Sequence, residues 1–254
     1  MHIAVMGGTG VAGRHTVEAL ARAGHDAVVL SRSRGVDVTT GKGLEESLAG
    51  VDVVIDVTNV PVFDPEATPK LFATATRNIL AAEQQAGVRH HVLLSIVGID
   101  RFKGNPHLAG KRVQEEILSR AAIPLTIQRA TPFFEFTGTV IDWMRQGDVV
   151  ELPPLLLQPV AGADVGEVLA ELAVGKPLGR APDLAGPETQ DFIDMARRIL
   201  QARGEEVRLV PTWRGPLFGP DGAGEVFLPG PGARIAPTTF DAWLNTKSFV
   251  TSPA

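Results

Sequence analysis

No cysteine occurs among the 254 residues, which excludes disulfides, thiolate nucleophiles and zinc–thiolate centres together. Tyrosine is equally absent, so no phenol is available as an acid, a base or a hydrogen-bond donor. The six histidines form no HExxH or other ligand-spaced cluster, and no structural metal is expected. There is no excess of positive charge either: the formal net charge is -5 and the pI is near 5.7. That balance argues against a nucleic-acid or anionic-membrane surface and leaves phosphate binding to a few focused groups. No apolar run approaches the roughly 20 residues that span a bilayer, and no basic leader precedes the strand-like Met1-His2-Ile3-Ala4-Val5-Met6. The expectation is a cytoplasmic monomer or dimer that handles a small molecule.

What is present is alternation. Short apolar segments at Ile3 to Met6, Ala27 to Leu30, Val53 to Val57, His91 to Ser95 and Leu125 to Gln128 are separated by longer helical patterns, the sequence form of a parallel sheet covered on both faces. Asp37-Val38 reads as the end of a further short strand. Helix boundaries are signalled by Thr68-Pro69 and Asn105-Pro106 at starts, and by Gly24 and Gly87 at ends. The expected fold is α/β: a Rossmann-type doubly wound sheet over residues 1–150, with a smaller C-terminal substrate lobe over 151–254 packed on it as one integrated unit. In that lobe Asp164 to Val174, Asp191 to Ala202 and Thr239 to Leu244 read as helices. Residues 211–237, with Pro211, Gly215, Pro216, Gly219, Pro220, Gly222, Pro229 and Pro231, cannot sustain a helix or a central strand and read as a long loop, placed to lie over the site.

The strongest chemical signal follows the first strand. Gly7-Gly8-Thr9-Gly10-Val11-Ala12-Gly13 has GxxGxxG spacing and runs into an amphipathic helix. A dinucleotide demands a tight turn, backbone without Cβ where the pyrophosphate approaches, and a helix N-terminus offering free amides. Gly7, Thr9, Gly10 and Val11 are therefore expected to line the pyrophosphate. Glycines alone make ordinary turns; strand before and helix after is what favours the nucleotide.

The second strand ends in Leu30-Ser31-Arg32-Ser33-Arg34, where an NAD-selective site would carry an acidic residue about 20 residues beyond the glycines. A carboxylate would repel a 2′-phosphate, whereas Ser31, Arg32 and Arg34 bind it through charge-assisted hydrogen bonds. NADP(H) is preferred on this reading and NAD(H) remains open, since either arginine is also an ordinary surface charge. Asp37 and Val38 are candidates for the adenine edge. Thr58 and Asn59 are candidates for the middle of the cofactor, with a plain turn as the alternative for Asn59.

Beyond these, Leu93-Leu94-Ser95-Ile96-Val97-Gly98, Lys111 within Gly110-Lys111-Arg112-Val113-Gln114-Glu115-Glu116, and Arg129-Ala130-Thr131-Pro132-Phe133-Phe134 follow in order. With the glycine loop this set resembles atypical short-chain dehydrogenases/reductases, specifically their NmrA-like, NAD(P)H-binding branch. The likeness runs on through Leu157-Gln158-Pro159-Val160, Asp164-Val165, Ala185-Gly186-Pro187-Glu188 and Thr239-Phe240-Asp241-Ala242-Trp243-Leu244, so it covers most of the chain. It implies NADP(H) in the crevice and, in active members, hydride transfer to or from an organic substrate; other relatives only sense the NADPH/NADP ratio. It also implies a serine at a strand end paired with Tyr-x-x-x-Lys. Ser95 and Lys111 match, and His107 stands where the tyrosine would be.

Spacing of four places His107 and Lys111 on one helical face, so His107 is a candidate proton donor, with Lys111 on the nicotinamide ribose and Ser95 on a carbonyl. A cation beside His107 loosens its proton, and a helix-start or pocket-lining role is the competing assignment. Ala130, Pro132 and Phe133 are expected near the nicotinamide carboxamide. Phe133, Phe134 and Phe136 are expected to supply apolar walls, one or two of them facing an aromatic or quinone-like ligand. Trp143 and Trp213 are weaker candidates. Two functions follow: an NADPH-dependent reductase of a quinone-like or carbonyl/enal acceptor, or a non-catalytic redox sensor working through a protein partner.

Overall fold

The computed structural model describes residues 1–60, 64–214 and 218–246. Its first half is the expected alternation: β1 (His2–Met6), α1 (Val11–Arg22), β2 (Asp26–Leu30), α2 (Leu44–Leu48), β3 (Val53–Asp56), α3 (Ala67–Ala86), β4 (His90–Ile96), α4 (Pro106–Ser119) and β5 (Leu125–Ala130). The second half contributes α5 (Phe134–Met144), β6 (Arg145–Gln146), β7 (Val149–Leu152), β8 (Leu156–Leu157), α6 (Gly162–Val174), β9 (Gly179–Arg180), β10 (Leu184–Ala185), β11 (Gln190–Asp191), α7 (Phe192–Arg203), β12 (Arg208–Pro211), β13 (Arg234–Ile235) and α8 (Phe240–Asn245).

The main sheet is parallel, in the order β2-β1-β3-β4-β5-β10-β13, with β9 also beside β5. Its central strands carry apolar residues on both faces because helices cover both: Ile3, Ala4, Val5, Val54 and Ile55 are all fully buried. Strand order reverses at β1, where β2 lies to one side and β3 to the other, so the loops leaving β1 and β3 open a crevice at the C-terminal ends of the strands.

Local signals explain most boundaries. The Asn105 side chain caps α4 by accepting from the amides of His107 and Leu108, with Pro106 in the first turn. Asp191 caps α7 and Thr239 caps α8. Left-handed Gly24 and Gly87 end α1 and α3. The start of α3 differs from expectation: its cap comes from Asp64, whose carboxylate accepts from the amides of Glu66 and Ala67 at 2.9 and 2.7 Å. Thr68 is thus inside the first turn and buried, and Pro69 is tolerated there because first-turn positions need no intrahelical donor.

The strand expected at Asp37-Val38 is absent from the sheet. Asp37 instead pairs antiparallel with Lys42 in an isolated bridge, and one carboxylate oxygen folds back onto the amide and hydroxyl of Thr39, at 2.9 and 2.7 Å. That local turn competes successfully with strand pairing.

The chain crosses the boundary read at residue 150 in both directions. After it, α6 returns to pack on α1, its Val165 and Leu169 joining Ile3, Val5 and Leu20 in one core, while β9, β10 and β13 extend the sheet. Before it, Phe134, Val140 and Ile141 of α5 already belong to a second core with Val150, Phe192, Ile199, Phe240 and Trp243. Of the Pro- and Gly-rich stretch, Gly215 and Pro216 lie outside the described residues. Its described part packs over the segment following β4: Phe218 and Phe227 meet Phe102, and the backbone of Val226 approaches Gly98 so closely that a Cβ there would overlap it. Among the described residues no helix is long and apolar enough to cross a membrane.

Candidate functional site

The glycine turn is built from β1 and the mouth of α1. Gly7 takes φ +80°, donates its amide to the Leu30 carbonyl at 2.9 Å, and lies where a Cβ would come 2.9 Å from the Val57 carbonyl oxygen. A Cβ on Gly13 would overlap the Gly7 oxygen and sit 2.6 Å from Gly8 Cα, so Gly13 is required for helix and strand to close on each other. Gly10 is different. Its φ of -77° suits any residue, and a Cβ there would meet only the Gly7 oxygen at 3.4 Å. Among the described residues nothing demands a glycine at this exposed position. Gly10 also offers no side-chain cap, so the first-turn amides of α1, beginning at Val11, have no partner within the helix. Thr9 is exposed beside it.

At the end of β2, Arg32, Ser33 and Arg34 form an exposed single turn, and the Ser31 and Ser33 hydroxyls bond to each other at 2.9 Å. Among the described residues neither guanidinium group makes a hydrogen bond or ion pair. Arg32 contributes with the Thr39 bonds to holding the Asp37 carboxyl below its ordinary range, the Thr39 hydroxyl being the larger cause. One Asp37 oxygen is therefore already engaged in its own turn. Val38 is held by Asn78 of α3, whose amide donates to the carbonyls of Val38 and Thr39 at 2.9 and 3.2 Å. Sequence reading missed Asn78, which carries no signal beyond a polar residue in a helix.

At the other end, Ser95 is 1% exposed and its Oγ has no hydrogen-bond partner among the described residues. A buried hydroxyl left unsatisfied points to a group still to arrive. Lys111 does not reach into the crevice as expected. It is 5% exposed, and its ammonium donates to the Thr58 carbonyl at 3.3 Å, the Leu94 carbonyl at 3.0 Å and Gln114 Oε1 at 2.9 Å. Three donors with three acceptors turn the side chain inward, where it ties the ends of β3 and β4 to α4. Thr58 is itself held by its amide on Asp56, at 2.8 Å, while Asn59 is exposed. Lys111→Met should lower stability by about 2–3 kcal/mol, the cost of leaving three buried acceptors without their donor; urea unfolding measures it, and an unchanged midpoint would contradict this role.

His107 sits in the first turn of α4, its ring edge-on to Phe72 with centroids 5.4 Å apart. Burial, and secondarily the charge of Lys111, push its proton affinity down to about 4. The imidazole is then neutral at pH 7 and a poor acid. Because the folded value lies below the ordinary 6.5, the unfolded chain takes up this proton first, and stability falls as pH drops from 6.5 toward 4. Denaturant midpoints measured at pH 7 and pH 5 should fall less in His107→Gln than in the parent protein; equal falls would contradict a depressed His107. Phe72, unremarked in the sequence, packs on Gly110 closely enough to exclude a Cβ there and lies 5.4 Å below the Lys111 ammonium.

The segment after β5 divides. Ala130 is buried at the strand end, its carbonyl accepting from the Val97 amide at 2.9 Å. Pro132 and Phe133 are half-buried, with the Pro132 carbonyl accepting from Val160 and Phe133 bridged to the same residue. Phe134, expected as a cleft wall, is core: it is 1% exposed and packs on Phe240 and Trp243. It is the first residue of α5 and points to the second core, a direction strand-end reasoning does not foresee. Phe136 is half-buried and edge-on to Trp143, which is exposed, while Trp213 packs on the second core.

Residues 3–99 match the model of the NAD dependent epimerase/dehydratase family. Dehydrorhamnose reductase from Bacillus anthracis (dTDP-4-dehydrorhamnose reductase, in complex with NADP) superimposes with a TM-score of 0.73 at 16% identity, covering 98% of this chain and 99% of that one. The NADPH-dependent quinone oxidoreductase QOR2 of Escherichia coli gives 0.66 at 17% identity, with 96% and 99% covered. Among curated proteins, the photosystem II assembly factor Ycf39 of Synechocystis sp. is 26% identical over 149 residues, 53% of this chain. The match takes in 46% of that relative, about half its length. The expected α/β fold with a parallel central sheet is thus borne out, and the match to the NAD dependent epimerase/dehydratase family model lies in its N-terminal part.

Proposed function

We propose that the protein is an NADPH-dependent reductase of an apolar, quinone-like or carbonyl/enal acceptor. The observation that carries this reading is Gly10: a position at an amide-rich helix mouth that is kept free of side chain although the protein's own packing leaves room for one. A ligand that approaches the backbone there accounts for the vacancy of a side chain, and an anion accounts for the free amides. The residues fit the nucleotide at its other end too, through the unpartnered Arg32 and Arg34 beside Ser31. The names of similar proteins, one with NADP bound and one an NADPH-dependent quinone oxidoreductase, support the choice.

On this reading Gly7, Thr9, Gly10 and Val11 hold the pyrophosphate, Ser31, Arg32 and Arg34 the 2′-phosphate, and Asp37 and Val38 border the adenine. Thr58, Asn59, Ala130, Pro132 and Phe133 border the ribose and carboxamide. When bound, NADPH supplies the hydride. Ser95 offers its unpaired hydroxyl to the acceptor oxygen, and Lys111 acts from below by fixing the strand ends that carry Thr58 and Ser95. His107, neutral at pH 7 and with its proton affinity pushed down to about 4, packs edge-on to Phe72 and takes no proton-transfer role. A quinone suits such a site, because its reduced anion takes the balancing proton from water after the hydride arrives. A panel of quinones, enals and ketones assayed for NADPH oxidation tests the reading, with quinones expected to turn over fastest; binding of NADPH without turnover of any acceptor would contradict it.

That contrary outcome is what the second reading expects. A redox sensor acting through a protein partner is favoured by one specific observation, the lack of any side chain at the tyrosine position able to donate a proton at pH 7. The relative named as an assembly factor is in keeping with it.

A further inference from the structure

Beneath the crevice, on the face of the sheet covered by α3 and α4, five polar side chains are buried in a row. Asp56, Glu83 and His91 are fully inaccessible, and Gln114 and Lys111 are 1% and 5% exposed. Asp56 ends β3, His91 lies near the start of β4, Glu83 comes from α3, and Gln114 and Lys111 come from α4. The register pairs Val54 with His91 and Asp56 with Leu93, which puts Asp56 and His91 on the same face of neighbouring strands.

The contacts are ordered by charge. His91 Nδ1 is 2.7 Å from Glu83 Oε1, and its Nε2 is 4.0 Å from Asp56 Oδ2. Asp56 Oδ2 accepts from Gln114 Nε2 at 2.8 Å, and Gln114 Oε1 accepts from the Lys111 ammonium at 2.9 Å. Nδ1 of the His91 ring is hydrogen-bonded to Glu83, while Nε2, at 4.0 Å from Asp56, is beyond hydrogen-bond length and has no hydrogen-bond partner among the described residues, so His91 and Asp56 are linked through charge alone. Burial alone would strip the proton from His91, but Glu83, and then Asp56, outweigh it and the remote Lys111 charge, raising its proton affinity. His90, next to it on the strand, is buried against Thr126 instead. Gln114 is the link between the two charges: its amide donates to Asp56 and accepts from Lys111 at once.

We infer that Asp56, Glu83, His91 and Gln114 are positioning residues that hold the Lys111 ammonium on the carbonyls of Thr58 and Leu94. Those carbonyls immediately precede Asn59 and Ser95, so the array sets the two strand ends that floor the crevice. Its bearing on nucleotide rests on the reading proposed above; the geometry of Lys111 does not.

The test uses the full chain free of nucleotide, with nitrogen-15 in lysine and histidine. The expected spectrum has one slowly exchanging ammonium, assigned by its disappearance in Lys111→Met, and a His91 ring with both nitrogens protonated at pH 7. His91→Gln and Gln114→Leu should each abolish the slow exchange, although His91 does not touch Lys111. Their NADPH and NADH affinities should fall together, by about tenfold, since the 2′-phosphate end is untouched. If His91→Gln does not fold, the paired change of Glu83→Gln with His91→Gln removes both charges and replaces it in the same measurement. A slow ammonium that persists in every folded variant, or a neutral His91 ring at pH 7, overturns the inference. A slow ammonium that responds as expected in a protein that binds no nucleotide leaves the inference standing and overturns the functional reading instead.

Discussion

Gly10→Val yields a folded protein that has lost NADPH and NADH alike. The backbone at Gly10 is extended, with φ -77° and ψ -179°, where valine is comfortable, and the nearest atom a Cβ would meet is the Gly7 oxygen at 3.4 Å. Stability should stay within about 1 kcal/mol of the parent, as for a substitution that breaks no packing. Binding should not survive, because the side chain fills the approach to the α1 amides. Losing two charge-assisted hydrogen bonds costs about 3 kcal/mol or more, a loss of about a hundredfold or greater. Gly13→Ala separates the two roles of glycine in this motif. There the methyl overlaps the Gly7 oxygen and crowds Gly8 Cα, so that variant should fail in folding. Thermal unfolding alongside equilibrium binding checks both; a Gly10→Val protein with parental affinity would show that no ligand approaches that backbone.

Arg32→Ala weakens NADPH by about 10- to 150-fold while leaving NADH nearly unchanged. The guanidinium is exposed and without a hydrogen-bonding partner at the end of β2, so removing it disturbs no packing, and the loss is that of a charge-assisted bond to the 2′-phosphate, about 1.5–3 kcal/mol. Arg34→Ala should show the same selectivity with a smaller effect if both arginines share the phosphate. Equal losses for the two nucleotides would place Arg32 on the adenine ring or elsewhere.

How much of this could be read from the chain depends on the range of the forces involved. The parallel sheet and the glycine turn were legible because their signals are local: apolar runs of strand length, and a glycine spacing that only a tight strand-to-helix turn explains. Asn105-Pro106 was legible for the same reason, being a cap and a first-turn proline side by side. Asp37 was misread because its carboxylate closes a three-residue turn on Thr39, a bond that outcompetes strand pairing yet leaves the same residues in the sequence. Lys111 was placed on the crevice side of α4 by its spacing from His107. Its actual direction is decided by Gln114 and by the carbonyls of Thr58 and Leu94, partners brought in from two strands and invisible to a helical repeat. Phe134 was misjudged in the same way, since Phe240 and Trp243, which bury it, lie more than a hundred positions away. The division at residue 150 met the same obstacle: composition changes there, but α6 packs back on α1 and β10 returns to the sheet.

The most direct test of the central claim is a calorimetric titration of the purified, folded protein with NADPH and, separately, with NADH. With free amides at α1 and guanidinium groups beyond β2 that are unpaired among the described residues, the expected result is saturable binding of NADPH at one site per chain, with NADH weaker by about tenfold or more. Absence of heat and of competition with either nucleotide, in protein shown to be folded, would contradict it.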